Sequence, residues 1–446
     1  MRFLFSVACV TVALHGVSDA YAQVARPERP YRGLFGGGVP DPEQLLTVEG
    51  ATGTGYDTNV LFDQGGGQSV SSPRAAVASF YASFGGGLRY QLNKTKVQLG
   101  ASESTSARYY SDVEDQFVAA HSGNVSLAWQ PGRRTNLTLG QSISYQPFLR
   151  LFAAPPLFDS PLGQVSPPSL DIGVTSQPST AYASDISVTQ NLSKRASLSF
   201  STSYTRNNYG GATGELAQSG DLTAATVGGR FSYAIGRGLS ARAGYGFTDA
   251  SYAGPFPDVR GHNLDVGVDF ARSLSLSRRT TLTFGTGTSA YVYLDQTFYR
   301  FLGNARLVRE IGRTWNAGIG YNRNVEFLAA FAQPVQSDNF NVGVGGLINH
   351  RLSFSAAATA FIGSVGFSGQ ANGYDTYTAT TSITLSLTRH LGLNAGYSYY
   401  RYAFDENALP IRLVGLPSET NRHSVYASMA VWAPLLYRPR KHDVAR

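Results

Sequence analysis

Only 15% of the 446 residues are charged, against about 25% in an average domain, while Gly (49), Tyr (26) and Phe (25) are abundant. Beyond the N-terminus no segment approaches the run of about 18 apolar residues that a membrane-spanning helix needs, so such helices are excluded. The formal net charge of +7 is spread along the chain without a concentrated basic block, which argues against nucleic acid as a partner.

Met1-Arg2, the apolar run from Phe3 to Leu14 and Ala20-Tyr21-Ala22 read as the basic start, short apolar core and cleavage site of a secretory leader, with the cut expected after Ala22. The single cysteine, Cys9, falls inside it, so the mature chain is expected to have neither disulfides nor thiolate metal sites. Residues 23–46 are rich in Pro, Gly and charge and read as a periplasmic lead-in.

From residue 47 an internal repeat takes over. Short basic turns recur at Asn93-Lys94-Thr95, Gly132-Arg133-Arg134-Thr135, Ser193-Lys194-Arg195, Gly236-Arg237-Gly238, Ser277-Arg278-Arg279-Thr280, Gly312-Arg313-Thr314, Asn349-His350-Arg351 and Thr388-Arg389-His390. From Lys94 through Arg133, Lys194, Arg237, Arg278, Arg313, His350 and Arg389 the steps are 39, 61, 43, 41, 35, 37 and 39. The turns are flanked by segments of period two. Leu137, Leu139, Ile143 and Tyr145 oppose Asn136, Thr138, Ser142 and Ser144; Leu198, Phe200 and Tyr204 oppose Ser197, Ser199, Ser201 and Ser203. Such alternation marks strands, and about 9–11 tilted residues cross a bilayer.

Longer irregular segments separate the pairs of strands, at roughly 58–73, 111–117, 147–180, 208–221, 254–261, 295–299, 332–338, 364–374 and 405–420. Eight short turns and nine long loops join about eighteen strands, within a range of 16–18. The expected fold is therefore all-β: a transmembrane, antiparallel, up-and-down β-barrel over residues 47–436, with short periplasmic turns and long extracellular loops. Closure satisfies every backbone N–H and C=O in a medium without water. A soluble propeller also repeats at about 40 residues, but it needs four short strands per repeat where this chain has two long ones. Residues 437–446 read as a basic tail.

Aromatic residues gather where strands meet the long loops. Tyr109, Tyr145, Tyr204, Tyr293, Tyr397 and Tyr399, with Tyr110, Tyr291, Tyr400 and Tyr402, are candidates for the outer aromatic girdle; Trp129, Tyr233 and Trp315 are candidates for the inner one. The same alternation turns Arg89, Asp185, Arg230, Arg242, Asp265, Asp269 and Arg306 toward the lumen, as a charge filter or as structural ion pairs. No nucleophile elbow, H-E-x-x-H or P-loop occurs, so neither catalysis nor a cofactor is expected.

Gly55-Tyr56-Asp57-Thr58-Asn59-Val60, together with the basic turns and the strand–loop rhythm, is similar to the opening of a family of outer-membrane β-barrel porins that includes barrels encoded with exopolysaccharide export systems. That resemblance implies a barrel in the outer membrane, in contact with lipid and lipopolysaccharide and inserted by the barrel-assembly machinery. Three functions are open at this point: a passive channel for small polar solutes, an export component that meets polysaccharide, and a surface barrel plugged by loop 147–180.

Overall fold

The structure is a computed structural model that describes residues 33–36, 42–60, 78–111, 117–147, 178–209, 221–253, 257–274, 277–293, 295–328, 333–366, 373–405 and 419–440. The expected leader, most of loop 147–180 and residues 441–446 lie outside the described residues.

Eighteen strands follow one another: β1 (Pro42–Asp57), β2 (Ser79–Asn93), β3 (Val97–Tyr110), β4 (Phe117–Trp129), β5 (Thr135–Gln146), β6 (Ser179–Asn191), β7 (Ala196–Tyr209), β8 (Leu222–Gly236), β9 (Leu239–Tyr252), β10 (Val259–Leu274), β11 (Ser277–Tyr293), β12 (Gln296–Ile311), β13 (Trp315–Leu328), β14 (Gln333–Leu347), β15 (Leu352–Val365), β16 (Gly373–Ser386), β17 (Leu391–Phe404) and β18 (Glu419–Pro439). Each pairs antiparallel with its neighbours in sequence, and β1 pairs with β18, so the sheet is a closed up-and-down barrel without an edge. The strands run from 12 residues in β5 to 21 in β18, enough to cross hydrocarbon with length to spare.

The outer wall is apolar: Phe84, Val125, Ile143, Phe200, Val227, Phe231, Val266, Phe301, Ile319 and Val425 are all exposed there. Their neighbours along each strand turn inward; most are Ser, Thr, Asn or Gly, and the exceptions include Arg230 beside Phe231, Asp265 beside Val266 and Tyr426 beside Val425. In water this would be an aggregation surface; facing lipid it is the stable arrangement. Glu103 of β3 departs from the pattern. It lies on the outer wall beside Leu88, Val125 and Ile143, where Thr105 Oγ1 donates to it at 2.8 Å and in turn meets His121 Nδ1 at 2.9 Å.

Three of the basic turns share one design. Ser193, Asn349 and Thr388 open them, and each side-chain oxygen accepts the N–H groups two and three residues on, at 2.8–3.1 Å. The side chain supplies bonds that a two-strand ladder loses where it reverses. At Gly312 the turn instead uses φ +61°, a left-handed conformation suited to glycine.

Several boundaries differ from the sequence expectation. The sheet takes in residues 42–46 and 437–439, because β1 and β18 pair from Pro42↔Pro439 onward. Residues 277–280 are the start of β11 rather than a turn, 296–299 belong to β12, and 333–338 belong to β14. Their polar residues had suggested loops, but they sit on strands that overhang the hydrocarbon, where polarity costs nothing.

Candidate functional site in the barrel lumen

Bulky residues fix the phase of β8, β9 and β10. Val227, Phe231 and Tyr233, then Tyr245, then Leu264, Val266 and Val268 take the outer wall. The intervening positions, Arg230, Arg242, Asp265 and Asp269, face the lumen and meet there. Arg230 Nε lies 2.6 Å from Asp265 Oδ2, and Arg242 Nε lies 2.5 Å from Asp265 Oδ1. Arg242 Nη1 donates to Asp269 Oδ1, and Arg242 Nη2 donates to the Thr286 carbonyl of β11.

Two local features make room for this cluster. Glycines clear the wall beneath it: a Cβ at Gly285 would stand 2.9 Å from Asp269 Oδ1 and 3.1 Å from Arg242 Nη1, and one at Gly244 would stand 3.3 Å from the Arg230 Cβ. The β10–β11 ladder also breaks here, with register shifting between Leu264↔Thr288 and Phe270↔Phe284. Over that interval β10 advances six residues and β11 four, an irregularity of the bulge type. The Thr286 carbonyl faces the gap, and Arg242 supplies the donor the ladder does not. Burying a guanidinium is costly unless its forked donors are used, and here three are.

Two arginines and two aspartates cancel. The cluster is a neutral, hydrogen-bonding patch rather than a ring of one sign. Arg306 of β12 borders it, one inward position from Asn304, whose side chain also approaches Gly285. Arg89 faces the lumen from β2, diagonal to Glu49 of β1. Asp185 of β6 lies over Gly140 of β5, at contact with the space a Cβ there would occupy. The structure thus gathers four of the seven lumenal candidates and leaves Arg89 and Asp185 on other parts of the wall.

A second charged cluster was not among the sequence candidates. Arg422 of β18 pairs with Asp57 of β1 and reaches Tyr110 Oη at 3.5 Å, while Arg108 lies 5.0 Å over the Tyr81 ring. Strand phase was the available signal, since Arg108 shares the face of Tyr110.

Among the outer-girdle candidates, Tyr109, Tyr145 and Tyr397 are exposed on the outer wall, and Tyr204 and Tyr399 share that wall, partly exposed. Tyr397 Oη meets His423 Nδ1 at 2.7 Å, and Tyr399 Oη donates to Asn421 Oδ1 at 3.0 Å. Tyr293 is a correction: it packs inside against the cluster of Leu222, Tyr252, Val259 and Tyr291. Tyr110, Tyr291, Tyr400 and Tyr402 are likewise buried. With a period of two, adjacent aromatics straddle the wall, and only one of each pair can reach lipid.

No family model matches the sequence, and no curated protein matches it. Among solved structures the chain is similar to OpdQ of Pseudomonas aeruginosa (12% identity over 88% of this chain and 98% of that one, TM-score 0.40). It is also similar to OccK7 (OpdD) of the same organism (13% identity, 89% and 100%, TM-score 0.43), and to the open form of the ferric-catecholate import receptor Fiu of E. coli K12 (10% identity, 89% and 82%, TM-score 0.42).

Proposed function

We propose that the protein is an outer-membrane channel through which small polar solutes diffuse. The observation that carries this reading is the closed eighteen-stranded wall, apolar outside and lined inside by small polar residues. Barrels of about 16–18 strands are wide enough to leave an aqueous lumen. The balanced charge of the Arg230–Asp265–Arg242–Asp269 cluster supports weak rather than strict ion selectivity. In the same reading, Tyr109, Tyr145, Tyr204, Tyr397 and Tyr399 anchor the barrel at the outer headgroup level, against lipid and lipopolysaccharide. The leader directs export and assembly, and sequencing of the membrane-extracted protein should begin at Gln23.

Purified protein in planar bilayers should give stepwise conductance, and liposomes carrying it should swell in small sugars or amino acids but not in large oligosaccharides. Absence of both steps and swelling would overturn the reading.

A further inference from the structure

The short segment ahead of β1 lies inside the periplasmic rim. Leu34 N–H donates to the His350 carbonyl at 2.7 Å, Gly36 N–H to the Arg389 carbonyl at 3.0 Å, and Phe35 N–H to Ser386 Oγ at 3.2 Å. The acceptors belong to the β14–β15 turn, the β16–β17 turn and the end of β16, so three successive donors bridge two neighbouring turns from within.

Phe35 has a cradle of its own. It is 8% exposed and packs on Ala430 and Trp432 of β18, with Ala51 of β1 beside them. Gly392 of β17 leaves the space for it, since a Cβ there would stand 3.1 Å from the ring. His390 holds Trp432 in place: the rings stack at 6.0 Å and 12°, and Trp432 N–H donates to the His390 carbonyl at 3.0 Å. Directly after the aromatic, Gly36 adopts φ +66°, a left-handed conformation suited to glycine.

We propose that Gly33–Gly36 is a built-in plug of the periplasmic mouth, docked through Phe35 and released to widen the exit. The inference rests on the reading of the barrel as a channel. Among the described residues, the hold is one aromatic side chain and three hydrogen bonds, unlike the continuous ladders that hold each strand. An element with so few contacts is the kind that opens locally while the barrel stays closed.

A Cβ on Gly33 would lie 3.2 Å from Leu347 Cδ2, which places a disulfide Gly33→Cys/Leu347→Cys within reach, in a Cys9→Ser background. Oxidation should lock the channel at its smaller conductance level, and reduction should restore switching. Phe35→Ala should move the docked-to-released ratio by at least about tenfold toward release, read as loss of dwell time at the small level. If the cysteines cross-link but recordings are the same before and after reduction, and Phe35→Ala behaves as wild type, the segment is a structural staple; the plug falls and the channel stands. If the pair does not cross-link in membranes, the segment is not docked and the plug falls. If wild type, Phe35→Ala and the reduced pair all fail to conduct, the channel reading falls and the plug with it.

Discussion

Asp57 of β1 and Arg422 of β18 form a buried ion pair across the closure of the barrel, with Arg422 Nε donating to Asp57 Oδ2 at 2.7 Å and no exposure of the Asp57 side chain. Around it the first and last strands are clasped twice more. Thr58 N–H donates to the His423 carbonyl while His423 N–H donates to Thr58 Oγ1, both at 2.9 Å, and Asn59 Nδ2 donates to Thr420 Oγ1 at 3.1 Å and to the Asn421 carbonyl at 3.2 Å. The segment Tyr56-Asp57-Thr58-Asn59 is therefore the long-loop end of the seam, and each of its last three side chains serves it.

Breaking this pair should weaken the seam more than any surface change. Asp57→Ala leaves a buried guanidinium without its carboxylate, a loss on the order of 3–5 kcal/mol. Gel mobility of the folded barrel should convert to the unfolded form at a clearly lower temperature than wild type. Asp57→Ala combined with Arg422→Met should recover a large part of the loss, because the uncompensated charge is gone. A double variant no better than the single one would mean that the pair itself, rather than the stranded charge, sets the cost.

The lumenal cluster predicts the sign of a selectivity change. Arg242→Gln leaves Arg230 facing Asp265 and Asp269, a net charge of one unit of negative sign. Asp265→Asn with Asp269→Asn leaves two positive charges. A unit charge about 5 Å from a passing ion in water is worth about 0.8 kcal/mol, roughly a fourfold bias in occupancy before screening. Reversal potentials in a salt gradient should shift toward cations for the first variant and toward anions for the second, with both shifts shrinking at high salt. Arg242→Lys should resemble Arg242→Gln in channel noise, because one ammonium cannot span Asp265, Asp269 and the Thr286 carbonyl as a fork does. Equal reversal potentials in all variants would remove the cluster from the ion path.

Glu103 predicts a gain. Its carboxylate sits on the apolar wall with Thr105 as donor, where lipid replaces water. A basic residue at the midplane costs about 2–4 kcal/mol and an acidic one less, so Glu103→Leu should stabilise the barrel by about 1 kcal/mol. Denaturant titration in lipid vesicles would measure it. A loss of stability would mean that Glu103 has a partner in the membrane.

Much of this architecture is legible in the sequence because lipid imposes strict rules. Strands such as Ala196–Tyr209 alternate, with Leu198, Phe200 and Tyr204 on one face, Ser197, Ser199, Ser201 and Ser203 on the other and a break at Thr202, and the Ser193, Asn349 and Thr388 turns repeat one hydrogen-bonding solution. The phase of Val227 and Phe231 was enough to send Arg230 inward, and the same logic applies to Arg242 and Asp265. Where alternation is locally ambiguous, legibility ends. Tyr291 and Tyr293 share the inward face although their position near a loop suggested the girdle. The approach of Phe35 to Trp432 joins residues nearly the whole chain apart, and the role of the Thr286 carbonyl follows from a ladder break, which no periodicity records. Contacts made by closure, or by departures from regular pairing, leave no trace in a pattern of period two.

Gly285 tests whether the cluster can be disturbed without touching its charges. A Cβ there would meet Asn304 Oδ1 at 2.7 Å, Asp269 Oδ1 at 2.9 Å and Arg242 Nη1 at 3.1 Å, all ends of side chains rather than backbone. Gly285→Ala should therefore fold normally, since side chains can swing aside, and the added methyl removes some conformational freedom from the unfolded chain. The displaced Arg242 then loses part of its fork and projects into the lumen. Unit conductance should fall and ion preference should move toward anions, opposite in sign to Arg242→Gln, while the unfolding temperature stays within a few degrees of wild type. If conductance is unchanged while Arg242→Gln alters it, the cluster acts through its charge alone and its position against the wall is immaterial; if Gly285→Ala instead prevents folding, the cluster is a structural brace whose geometry the β10–β11 ladder break cannot spare.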